Sequence, residues 1–527
     1  MAFDFQINKD IVWNIDKELL AKAEANKPEI KKTKVKPKRI VDVMKNDQTE
    51  IVASSYSIDD LKNVLLGKND SLIIDLGDHQ VGTFSISINS VGSPMDAPLF
   101  LRVKFAEIPD ELTAKSSDYE GWLSKSWIQE EFIHIDVLPT RLSLPRRYSC
   151  RYIELTVIDT SPKWKACFDN PVFIAESSVD KVSLREKIIE DPLLKKIYDV
   201  SIKTLEDCMQ DVFEDGPKRD RRLWIGDLRL QASANYSSFQ ANDLVKRCLY
   251  LFGGMTTKDG KIPANVFTVP SLIPDDTFLF DYSLFFVTIL EEYVRMTDDI
   301  DVLIDLYPVA KKQIDLALTK VDKEGRLILD ESWPVFIDWS DDFDKITAGQ
   351  GVLIYCLRRF CKLSEKMEDK QRNEYEASLA VIESFARNIL FDKETNQFII
   401  EKTKERNAAS QVWMVLAEVF DAQKNKQVME TMIKEHFPIK DFGTPYMYHH
   451  VVEALFSTGL AEEACMLIKD YWGGMIALGA DTFWEAFKPD DPSFSPYGSP
   501  IISSYCHAWS CTPAYLLDKY LLEEYII

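Results

Sequence analysis

After about Val182 the chain carries helical patterns one after another with no strand pattern between them, and this constrains its fold more than anything else. Asp191-Pro192 is a helix start, with Asp as N-cap and Pro at the first helical position. Leu193, Leu194, Ile197, Val200, Leu205 and Met209 follow at helical spacing. Similar patterns run over 227–251, 280–296, 300–321, 349–367, 373–390, 408–421, 424–435, 447–457, 460–471 and 507–522. A doubly wound sheet or a β/α barrel needs strands alternating with helices, so both are disfavoured. About 340 residues of helix pairs without a fixed-length repeat predict a closed helical toroid.

Upstream the periodicity is that of strands. Segments 71–76, 83–88, 99–105 and 132–138 are short, often alternating and rich in β-formers, with Gly, Pro, Asp and Asn between them. They predict an antiparallel β-sandwich. A length of 527 residues exceeds one ordinary core. The expected division is an N-terminal extension or linker over 1–45, a β-sandwich domain over 46–182 and a helical catalytic domain over 183–527. Lys27 to Arg39 holds seven cations and two prolines, which reads as a solvated linker or edge segment.

The net charge of −22 disfavours nucleic acid, whose phosphates such a surface repels. No apolar run is long enough to span a bilayer. The first ten residues lack the basic and apolar regions of a secretion signal. Nine scattered cysteines, an odd number, suggest reduced thiols and a cytoplasmic setting, although a processed secreted form would look the same. The expected partner is a small-molecule or oligosaccharide substrate, with no nucleic acid and no membrane; the oligomeric state is left open.

Chemistry concentrates in Glu214 to Asp227. Glu214, Asp215, Asp220 and Asp227 share this stretch with Lys218, Arg219, Arg221, Arg222 and Trp224. Gly216, Pro217 and Gly226 argue for a shaped loop between two helices. Carboxylates and Arg for hydroxyls, with an indole for an apolar ring face, are the ingredients of a sugar site. A second candidate is Glu485, directly after Trp484 in a Gly-bounded turn, where an apolar neighbour would raise the pKa of a general base. Asp276 and Asp281, then Trp333, Asp338 and Trp339, then His507 and Trp509, put aromatics near polar groups in further loops. Their recurrence suggests a lined pocket, although each could serve core packing or capping.

No metal or other cofactor is expected. Cys506 and Cys511 lack partners at zinc spacing, and His449-His450 point to different helix faces. The glycine pairs 253–254 and 473–474 lack the Lys-Ser/Thr of a phosphate loop. A Gly-x-Ser-x-Gly nucleophile elbow is missing too.

At Asp215-x-Pro-x-Arg-Asp-Arg-x-x-Trp-x-Gly-Asp227 the sequence resembles glycoside hydrolase family 78, the α-L-rhamnosidases, whose pattern is Asp-x-Pro-x-Arg-Glu-Arg-x-x-Trp-x-Gly-Asp. The stretches 75–83, 104–107 and 147–155 look like the preceding β-sandwich, and 483–485 and 506–509 like later site loops. The resemblance covers roughly residues 50 to 527. It implies an (α/α)6 barrel and hydrolysis of terminal α-L-rhamnosides with inversion. It also implies Asp220 as general acid, Glu485 as general base, and Asp215 and Asp227 as holders of sugar hydroxyls. Asp220 stands where the family usually has Glu, one methylene longer. The chain ends at Tyr525-Ile-Ile without the C-terminal β-domain of longer members, which favours a small glycoside or oligosaccharide as substrate. Hydrolysis of another terminal glycoside on the same fold, or sugar binding without turnover, are the alternatives.

Overall fold

The computed structural model describes residues 10–522 apart from 46–48, 55, 181–183 and 185–186. The expected boundary at 182/183, residues 1–9 and the terminal Tyr525-Ile-Ile lie outside the described residues.

The β-domain is organised on one strand, Ser71–Gly92, where two short strands were expected. Its first part pairs with Tyr148–Asp159, Leu72 opposite Leu155. Its second part pairs with Trp164–Ser177, Phe84 opposite Phe173. Gly77, at φ +87°, sits between the two halves, and the register of the Tyr148–Asp159 partner slips between Cys150 and Tyr152. Over the second half Phe84, Ile86 and Ile88 are buried while Ser85 and Ser87 are only partly so, the two-residue alternation of a half-buried strand. With Leu101, Val103, Ile153, Leu155 and Phe168 they close one core. The Lys-rich segment forms the strand Lys31–Val35 at the sheet edge, paired with Trp164–Ser177. Its cations discourage pairing with another chain.

Among the described residues twelve α-helices follow: α1 (Pro192–Cys208), α2 (Ile225–Tyr236), α3 (Asn242–Gly253), α4 (Phe280–Thr297), α5 (Ile300–Leu318) and α6 (Ile346–Lys366), then α7 (Arg372–Phe385), α8 (Ala408–Leu416), α9 (Ala422–His436), α10 (Pro445–Ser457), α11 (Ala461–Ala477) and α12 (Pro513–Leu517). The even-numbered helices pack in sequence, α2 on α4 and so on to α12, which packs back on α2. The odd-numbered helices pack outside them. This is an (α/α)6 barrel. Every residue of α2 and α8 is buried, as an inner wall requires. Outer α9 buries only Asn425, Val428, Met429 and Met432, the stripe of a helix wet on its other face.

Two expectations need correction. The helix expected over 227–251 is two helices, broken at 237–241, where Gln240 takes φ +56°. Residues 10–45 do more than link, because Trp13–Ile15 pairs with Met255–Thr257 of the barrel and the helix Lys17–Ala25 lies on α3. Among the described residues no helix is long and apolar enough to cross a membrane.

Candidate active site

The loop between α1 and α2 is folded around one carboxylate. Asp215 Oδ2 accepts from Asp220 N at 3.0 Å and Oδ1 from Arg222 N at 3.0 Å, while the Asp215 carbonyl accepts from Ala508 N at 2.9 Å. Arg221 sits at φ +62°, the left-handed region that turns the chain sharply here. Asp220 is thereby presented at the surface of a pocket with its side chain 20% exposed.

Arg219 lies behind that surface with each of its three guanidinium nitrogens engaged. Nε donates to Ile502 O at 3.1 Å, Nη1 stands 3.3 Å from Asp220 Oδ1, and Nη2 stands 2.5 Å from Glu485 Oε2. Its guanidinium lies 4.0 Å from the centre of the Tyr497 ring. Because the guanidinium is a small rigid fork, the two nearest carboxylate oxygens stand no more than about 8 Å apart. Arg219 therefore orients the two acids and does not line the pocket, a correction to its expected contact with sugar hydroxyls.

Glu485 is fixed from all sides. Its N–H donates to Ser504 O at 3.1 Å, its carbonyl accepts from Trp509 Nε1 at 2.9 Å, and Tyr497 OH donates to Oε1. Burial raises its pKa, while Arg219 and the Tyr497 hydroxyl work against that rise. Beside it burial pushes Asp227 well above the ordinary carboxylate range, with Asp215 and Glu485 adding to the shift. Burial and the charge of Asp220 raise Asp215 to about 7. Burial and Arg219 hold His507 well below its ordinary value. His507 Nδ1 lies 3.5 Å from Asp227 Oδ1 and Nε2 lies 3.9 Å from Asp215 Oδ2. These distances are long for hydrogen bonds and the imidazole is neutral, so no ion pair binds the three. Asp227 Oδ1 and His507 Nδ1 are buried without a hydrogen-bond partner among the described residues, as suits groups that meet a ligand's hydroxyls.

Asp215, Asp220, Asp227, Glu485 and His507 share this pocket with Trp224, Tyr282, Phe336, Trp339, Tyr497 and Trp509. Phe336 stacks on Trp509 at 6.1 Å and meets Trp339 edge-on at 5.5 Å. Three expected site residues lie elsewhere. Asp281 is buried and accepts from the backbone N–H groups of Phe336 and Ile337, so it shapes the loop that carries Phe336. Trp333 is buried against Phe280 and donates to Ser283 Oγ. Trp484 packs edge-on to Phe487 and Tyr505, away from the pocket its neighbour Glu485 faces. Sequence reasoning did not single out Tyr282, Phe336 and Tyr497. The first two lie within the very stretches that suggested Asp281 and Trp333, whereas Tyr497 has no acid or second aromatic close by in sequence except Phe494.

Behind the pocket a buried chain of alternating charge joins the two domains. Lys203 pairs with Asp207 at 2.7 Å and Asp207 with His79 Nδ1 at 2.6 Å. His79 Nε2 meets Glu107 at 3.2 Å, and Lys218 meets both Glu107, at 3.9 Å, and Glu111. Burial opposes a charge on His79, but Cys506 and the carboxylates of Asp207 and Glu107 hold its pKa well above 6.5. Glu107 also accepts from Tyr505 N at 2.7 Å, and Lys218 donates to Ser503 O at 2.7 Å. His79, Asp207 and Cys506 bring ligand-type atoms within 4.8 Å of one another. Both imidazole nitrogens face carboxylates as donors, which leaves no lone pair for a metal.

Residues 37–175 match the model of the glycosyl hydrolase family 78 α-rhamnosidase N-terminal domain, and 189–521 that of the bacterial α-L-rhamnosidase six-hairpin glycosidase domain. Among solved structures, a rhamnosidase from Klebsiella oxytoca with rhamnose bound is 42% identical. That match covers 97% of this chain and 100% of the other, with a TM-score of 0.94. A family 78 rhamnosidase of Bacillus sp. GL1 is 21% identical over 90% of this chain and 50% of its own, with a TM-score of 0.73. The Streptomyces avermitilis α-L-rhamnosidase complexed with L-rhamnose is 15% identical over 93% and 44%, with a TM-score of 0.66. The latter two speak for the fold alone. No match is found among curated proteins. With both family models in register along its length, the chain belongs to glycosyl hydrolase family 78, the α-L-rhamnosidases.

Proposed function

We propose that this protein removes terminal α-L-rhamnose from small glycosides or oligosaccharides by an inverting mechanism. Asp220, as the general acid, gives a proton to the leaving oxygen. Glu485, ionised, takes a proton from a water on the opposite face of the sugar, and that water bonds to the anomeric carbon as the glycosidic bond breaks. The observation that carries the reading is the Arg219 guanidinium, which reaches one carboxylate with each terminal nitrogen. The upper bound of about 8 Å that it sets keeps the two carboxylates within reach of one sugar and contains the spacing of a retaining as well as an inverting pair, so inversion rests on the family membership.

Asp215, Asp227 and His507 hold the sugar hydroxyls in this scheme. Asp227, whose pKa burial pushes well up, can donate when it holds its proton and accept when it does not, and neutral His507 offers one nitrogen of each kind. Trp224, Trp339, Trp509 and Phe336 supply apolar surface for the ring face and the rhamnose methyl. A pocket lined by barrel side chains around these carboxylates suits a terminal sugar. Nine free thiols support a reducing, cytoplasmic setting.

The test is release of rhamnose from an aryl α-L-rhamnoside by the purified protein and by Asp220→Asn and Glu485→Gln. Each variant is expected to fold and to lose at least about a thousandfold in kcat. Undiminished turnover in both would end the assignment of roles, and an inert wild type would end the assignment of activity.

A further inference from the structure

The pocket accounts for the sugar that is cut off but not for what it is cut from. The leaving group has to project out of the pocket, and one of the pocket's wall residues, Tyr497, is packed against a segment of the β-domain. Residues 114–128 of that domain run beside the barrel loop that carries Tyr497. Tyr119 and Ile128 are buried in one cluster with Tyr497, Ile501 and Ile502, with Trp339 packed against it. Tyr119 OH accepts from Leu123 N at 3.1 Å, which pins the tip of the excursion. Gly121 lies so close that a Cβ there would stand 2.5 Å from the Tyr497 carbonyl oxygen. Only glycine permits that approach.

The residue so displayed is Trp122. It is 54% exposed, the only tryptophan among the described residues with more than half its surface in solvent. Its ring lies 5.7 Å from that of Tyr497, which touches the Glu485 carboxylate and covers the guanidinium between the two acids. Packing accounts for Tyr119 and Ile128 but leaves the outer face of the Trp122 indole uncovered. A wide aromatic plane one ring away from a sugar pocket is suited to a flat group with an apolar face.

We propose that Trp122 is the platform for the leaving group, so that the β-domain contributes a specificity-determining residue. The inference rests on the rhamnosidase reading above. Its ligand is a ring attached to the leaving oxygen, and an aryl aglycone and a second pyranose share that chemistry.

The experiment compares kcat/KM on phenyl α-L-rhamnoside, on a rhamnosyl-glucose disaccharide and on methyl α-L-rhamnoside, for the wild type, Trp122→Ala and Trp122→Tyr. With Trp122→Ala the ratio of ring-bearing to methyl substrate is expected to fall about tenfold, and Trp122→Tyr is expected to keep most of it. A fall confined to one of the two ring-bearing substrates identifies which leaving group the platform serves. An active enzyme whose ratios are the same in all three forms overturns the platform alone. A wild type inert on all three substrates overturns the rhamnosidase reading and the platform with it.

Discussion

Tyr497→Phe isolates one atom of the candidate machinery. The substitution keeps the ring that covers Arg219 at 4.0 Å and that Trp339 meets edge-on at 5.9 Å, and removes only the hydroxyl that donates to Glu485 Oε1. That donor favours the ionised form, which is the form a general base needs, and opposes the upward push of burial. A hydrogen bond to a charged group contributes about 1.5–3 kcal/mol, and each 1.4 kcal/mol is about tenfold. On the acid side of the pH profile, kcat/KM of the variant should therefore fall about tenfold to one hundredfold. The sign is fixed: without the donor the Glu485 pKa rises further, so the acid limb moves to higher pH and much of the loss is recovered as pH increases. The assay is kcat/KM on an aryl α-L-rhamnoside across the pH range, with unfolding followed in parallel to establish that the variant remains folded. A loss of equal size at every pH, with the limb in place, would refute the argument that Tyr497 acts by holding Glu485 ionised.

Asp281→Ala leaves the buried N–H groups of Phe336 and Ile337 without their acceptor, at about 1–3 kcal/mol each. Urea unfolding should show that loss and KM should rise as the Phe336 wall loosens, whereas a wild-type midpoint would contradict the structural role given to Asp281. His79 has its folded pKa held well above 6.5, so its contribution to stability is complete below about 6.5 and disappears as pH climbs through the folded value. The thermal midpoint of the wild type should fall over that range more steeply than that of His79→Gln, and parallel curves would show that His79 carries no extra proton in the fold.

Much of this architecture could be read without coordinates because the outer helices of the barrel are wet on one face and so carry a clear 3.6-residue stripe. The all-buried α2 lacks that stripe, and its junction with α3 went unread for the same reason. Gly77-Asp78 and Gly82 resemble punctuation between strands, yet the strand continues past them, because residues 76–79, with Gly77 at φ +87°, bulge opposite the single residue Arg151. In the site, Asp215, Asp220, Trp224 and Asp227 are legible together since one short loop holds them all. Trp333 and Trp484 misled because an aromatic beside an acid marks core as readily as pocket. On irregular backbone the direction of a side chain is set by hydrogen bonds from distant segments, such as Asp281 to Phe336 and Ser504 to Glu485. Tyr497 acquires its place only when the loop 488–499 folds back over Arg219, a closure that no local pattern records.

The charge chain from Lys203 to Glu111 bears on the modularity of the molecule. Glu107 and Glu111 belong to the β-domain and Lys218 to the barrel, and Lys218 immediately precedes Arg219, which orients both candidate acids. Arg147 of the β-domain likewise clasps both oxygens of Glu214 at the start of the same loop. A barrel joined to a β-domain without Glu107 and Glu111 would keep Lys218 buried with its counter-charges gone, and an uncompensated buried ammonium costs several kcal/mol. Recombination between relatives can therefore exchange the two domains only if Glu107, Glu111, Arg147, Glu214 and Lys218 travel as a matched set. In this respect the chain has two cores but a single heritable unit of catalysis.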